Sequence, residues 1–74
     1  RYTVAIEELQ RCLELAPQDW QAMNALAAIY MIFFLKDSNQ HELRRNAIDL
    51  WHRSLEANSD QPLIRQKIKE WGMM

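Results

Sequence analysis

Residues that interrupt helices are scarce in this chain: its 74 residues include one glycine and two prolines. A β-rich fold needs tight turns at short intervals, so this scarcity points to an all-α fold. A single cysteine, Cys12, excludes an internal disulfide and suits a reduced, intracellular setting, most simply the cytoplasm. The first residues carry several acids within an amphipathic pattern, which is not the pattern of a signal peptide. A net charge of −1 supplies no overall attraction to nucleic acid or to an anionic membrane. The apolar run Ala25 to Leu35 has 11 residues, and a spanning helix needs roughly 20. No membrane partner is expected.

Groups that perform chemistry are equally sparse. His41 and His52 are the only imidazoles, and no HxxxH or HExxH spacing joins them. His52 has Asp49 and Glu56 one turn away on either side, an arrangement that reads as solvated charge at helical spacing. Cys12 lies in an apolar stripe with no basic neighbour on that face, so it reads as a packing residue rather than a nucleophile. There is no glycine-rich phosphate loop and no carboxylate pair in a defined cleft. No catalytic residue, no cofactor and no metal site is assigned, and the chain is not read as an enzyme.

What is present is helical periodicity. Tyr2, Ala5, Leu9, Cys12 and Ala16 recur at three- and four-residue steps, widened by Ile6 and Leu13, which predicts one amphipathic helix over 2–16. Pro17 disfavours helical geometry at Ala16 and stops it. Asp19 can cap a second helix over 19–36. So short a connection forces the two to lie antiparallel and in contact.

The residues Ala5, Leu9, Cys12 and Pro17, followed by Met23, Leu26, Ala27 and Tyr30, resemble the tetratricopeptide repeat (TPR) family. The first group is similar to the second helix of one repeat, with Leu13 also in the family's usual place. The second group is similar to the first helix of the next. The family commonly has Ala where Cys12 stands, Trp where Met23 stands and Gly where Ala27 stands. On this register the chain begins at the second helix of a repeat, and we expect a fragment of a longer repeat protein.

The remaining sequence fits such a register with one irregularity. The stretch KDSNQ, residues 36–40, reads as a loop, and Asn39 with Glu42 has the form of a capping box for a third helix over 40–57. Leu43, Ala47, Leu50, Trp51, Ser54 and Leu55 form its apolar face. Ala47, Trp51, Ser54 and Leu55 resemble the small–bulky–small order of a second repeat helix, with Ser59 where the family has proline. The spacing from Tyr30 to Ala47 is longer than the family's by roughly two helical turns. It predicts a hairpin of lengthened helices rather than a repeat of about 34 residues. Pro62 is acceptable in the first turn of a fourth helix over 61–71. Ile64, Ile68 and Trp71 give that helix its apolar face, Gly72 ends it, and Met73 and Met74 fray.

The expected organisation is a single domain of antiparallel helical hairpins, an α-solenoid fragment of four helices. Residues 1–17 form the second helix of a partial repeat, 18–58 one repeat with lengthened helices, and 59–74 a capping helix. Leu9, Cys12, Leu26, Tyr30, Ala47, Leu50 and Trp51 are expected in the core. The resemblance implies a protein-interaction scaffold binding a protein or peptide through its concave face, where Gln21, Asn24, Ala28, Met31 and Ile32 stand. The family's carboxylate clamp is not reproduced: Ala25 and Leu63 occupy two of its positions, and Lys67 alone matches in charge. Ala28, Met31, Ile32 and Leu35 also form an apolar strip that a second copy could cover, so self-association is the alternative function. Helical repeats of this kind occur in RNA-processing proteins. Here, however, the basic residues form no single stripe, and nucleic acid is not the expected partner.

Overall fold

The computed structural model of the protein describes residues 1–73. It contains four helices, α1 (Tyr2–Leu15), α2 (Trp20–Lys36), α3 (His41–Ala57) and α4 (Pro62–Gly72), and no strand among the described residues. No helix among them is long and apolar enough to cross a membrane.

The turns follow from local chemistry. Ala16, ahead of Pro17, is held at φ −136 and ψ 82, outside the helical region. The Asp19 N–H then donates to the Ala16 carbonyl at 3.0 Å, closing a β-turn with Pro17 at its second position. An oxygen of the Asp19 carboxylate accepts the Ala22 N–H at 3.1 Å and caps α2, as its position before the apolar run predicts. The turn into α3 is built differently from the expectation. Gln40 is the N-cap and makes no side-chain cap bond, so the Asn39–Glu42 capping box does not form. Asp37 organises the turn instead. Its carboxylate accepts the Asn39 N–H at 3.2 Å and the Gln40 side-chain amide at 3.1 Å, drawing the chain round before the helix opens. Asn58 repeats this device before α4, where its side chain accepts the Asp60 N–H at 3.2 Å. Pro62 opens α4 at its first turn, where a missing N–H costs nothing. Gly72 is the last residue of α4 rather than a left-handed cap, and Met73 follows with φ −94. Met74 lies outside the described residues.

Each helix packs against its neighbour in sequence: α1 on α2, α2 on α3, α3 on α4. The result is a thin slab, 32 × 29 × 15 Å in its Cα dimensions. The helices α2 and α3 are 17 residues each. Their interface holds the core: Met23, Leu26, Ala27, Met31 and Phe34 from α2 against Ala47, Leu50 and Trp51 from α3, extended by Ile64 of α4.

Three expected core residues come out differently. Leu9 and Tyr30 are half-buried at the margin of this core, and Cys12 is exposed. The cause is the position of α1 at the edge of the array. With α2 as its only neighbour, it turns Ile6, Leu9 and Leu13 inward, and Cys12 falls beside that line rather than on it. Tyr2 closes the open end of the hairpin, with its ring edge-on to Phe33 at 5.5 Å between centroids.

Candidate functional site

A groove of about 340 Å³ runs between α2 and α4, two helices that do not pack directly on each other. Asn24, Ala28, Met31 and Leu35 line it from α2, at steps of four, three and four residues, which is one face of a helix. Ile64, Lys67 and Trp71 face them from α4 at steps of three and four, and Trp51 of α3 lies between the two walls. The groove exists because α3 separates α2 from α4 and is too narrow to fill the space above itself. Apart from Asn24 and Lys67 its walls are hydrocarbon and aromatic.

One end of the groove is fixed by a hydrogen-bond network. Gln61, the N-cap of α4, is buried, and its side-chain NH₂ group donates to the carbonyl of Asn58 at 2.8 Å. It also reaches the Ser54 hydroxyl at 2.9 Å and the Ser54 carbonyl at 3.2 Å. Two of these partners are carbonyls, which can only accept, so the amide has one permitted orientation. Its oxygen therefore faces α2 and accepts from the side-chain NH₂ of Asn24 at 2.7 Å. That in turn fixes Asn24, whose own oxygen is buried and has no partner. An unpaired buried acceptor costs about 1–3 kcal/mol, a cost the protein carries at this end of the groove.

At the other end Arg44 ties α3 to α4, donating to the Trp71 carbonyl at 2.9 Å and holding the Trp71 wall in place. Lys67 is exposed and is the one charged side chain lining the groove among the described residues.

Of the residues singled out from sequence, Asn24, Ala28 and Met31 meet in this groove. Gln21 is exposed but lies outside it, and Ile32 is half-buried and turned away from it. Leu35, expected with Ala28 and Met31 in an apolar strip, completes the α2 wall. Ile64, Trp71 and Trp51 carried no such signal, because each reads simply as a core position of its own helix.

A second, wider depression of about 480 Å³ lies over α2 on its other side, between α1 and α3. Leu13, Leu26, Tyr30 and Leu50 are apolar parts of its lining, and Glu14, Asp49 and Arg53 bring charges of both signs. The Gln10 side chain reaches the Tyr30 hydroxyl across it at 3.4 Å. With acids and a base interleaved it selects no sign of ligand. Among the described residues no three His, Cys, Asp or Glu side chains cluster so as to hold a metal ion. No protein-family model, no curated protein and no solved structure matches the chain.

Proposed function

We propose that this chain is a TPR-like helical module that binds a protein partner as a peptide segment in the α2–α4 groove. The observation that carries this reading is the composition of the groove. Apolar walls from two helices converge on one buried, unpartnered acceptor at Asn24 and one cation at Lys67. Ligand sites commonly combine a mostly apolar surface with a few fixed polar groups, and about 340 Å³ is at the small end of their range. The chemistry fits a segment with aliphatic or aromatic side chains, an N–H for the Asn24 oxygen and an acidic residue for Lys67. Affinity comes from the apolar contacts, and register comes from the two polar ones. The single cysteine suits a reducing, cytoplasmic setting for such a module.

The test is selection from a phage-displayed random peptide library, followed by binding of the enriched peptides measured through tryptophan fluorescence, since Trp51 and Trp71 line the groove. Enriched sequences should place Asp or Glu next to aliphatic residues. Ala28→Arg, at an exposed position on the groove wall, should abolish binding, and Lys67→Glu should weaken it about tenfold. Peptides that bind both variants as well as the original chain would refute the assignment of the groove.

A further inference from the structure

The two end helices differ from the middle of the slab in both burial and charge. Helix α1 has no buried residue, and Val4 and Leu15 stand 55% and 84% exposed. Around Leu15 and Cys12 its outer surface is dimpled by a shallow depression of about 380 Å³, lined also by Glu8 and Arg11. At the other end α4 buries only Ile64, and Leu63 projects from it 71% exposed. Glu7, Glu8 and Glu14 against Arg11 give α1 a formal charge of −2, whereas Arg65, Lys67 and Lys69 against Glu70 give α4 a charge of +2.

We propose that copies of this chain associate end to end, with α4 of one copy lying against α1 of the next. The occupant of each end is thus a second copy of the chain. Like ends repel: α1 against α1 joins two acidic helices, and α4 against α4 joins two basic ones. Only the unlike pairing brings opposite charges together, and it also offers the exposed Leu63 to the depression beside Leu15 and Cys12. This is a heterologous contact, in which each copy uses two different surfaces, so it propagates rather than closing at two. It repeats between molecules the rule seen within one, where each helix packs on its neighbour in sequence. The α2–α4 groove stays open, so the association is independent of peptide binding.

Sedimentation velocity on the 74-residue chain tests this. At about 20 mM salt the weight-average mass should rise with concentration past that of a dimer. At about 0.5 M salt it should return toward monomer as the charges are screened. Glu7→Lys with Glu8→Lys reverses α1, and Arg65→Glu with Lys69→Glu, both exposed and outside the groove, reverses α4. Each double variant alone should lose association at least about tenfold, and circular dichroism melts report whether each stays folded. The two variants are then mixed in equal amounts. In the mixture each unmodified α4 again finds an unmodified α1, and each reversed α4 finds a reversed α1, so association should return. A monomer at every salt and concentration overturns the proposal. So does a dimer that does not grow, a loss produced by only one of the two variants, or a mixture that stays monomeric.

Discussion

Helices α1 and α2 stand at opposite extremes of burial. Helix α1 has the regular stripe of an amphipathic element, yet none of its 14 residues is buried. In α2 apolar residues surround the axis with no single face, and seven of 17 residues are buried. The difference lies in neighbours. Helix α2 is covered by α1 on one side and α3 on the other, while α1 is covered by α2 alone. In an array packed in sequence order, a residue's burial depends on how many helices flank its own, and periodicity reports only which side faces them.

This contrast can be broken by truncating side chains along it. Phe34→Ala, in the middle of the slab where the ring is 2% exposed, should cost about 3–5 kcal/mol in urea unfolding. Leu26→Ala, 3% exposed, belongs to the same class at about 2–5 kcal/mol. A loss no larger than that of a surface change would mean that the α2–α3 interface is not the core. Next comes Gln61→Ala, which strips Asn24 of its acceptor and leaves the Ser54 hydroxyl and carbonyls short of a donor, at about 1–3 kcal/mol. Thermal melts of this variant beside Gln61→Glu would separate the loss of the amide donor from the loss of volume. Asp19→Ala removes the α2 cap and should cost about 1 kcal/mol.

The smallest effect belongs to α1. Cys12→Ser should change stability by less than about 0.5 kcal/mol, as exposed substitutions do. A loss of several kcal/mol would return Cys12 to the core. Hydrogen exchange offers a view without mutation: amides of α1 should exchange through local opening, well ahead of those of α2 and α3.

Much of the local structure was legible because its causes are local. Pro17 ends α1, Asp19 opens α2 and Pro62 opens α4 through steric and hydrogen-bonding effects that need no distant partner. The second turn, between α2 and α3, was not legible in the same way. Asn39 and Glu42 have the form of a cap, but Asp37 competes for the same backbone and its carboxylate takes the available donors. The groove was half legible. Asn24, Ala28 and Met31 share a face of α2 on spacing alone, whereas the opposing wall at Ile64, Lys67 and Trp71 depends on where α4 comes to lie.

The sequence by itself determined an all-helical chain, the number of helices and where most of them start and stop, because helix propensity, proline and capping act within a few residues. Only the tertiary structure decided which apolar residues are core and which are surface. Cys12 and Leu26 both sit at apolar positions of a helix, and the flanking helices bury one and leave the other in solvent. It also decided that Gln61 reaches back to Ser54 and across to Asn24. That network joins residues 37 positions apart, and no local periodicity encodes a contact made by the path of the chain through space.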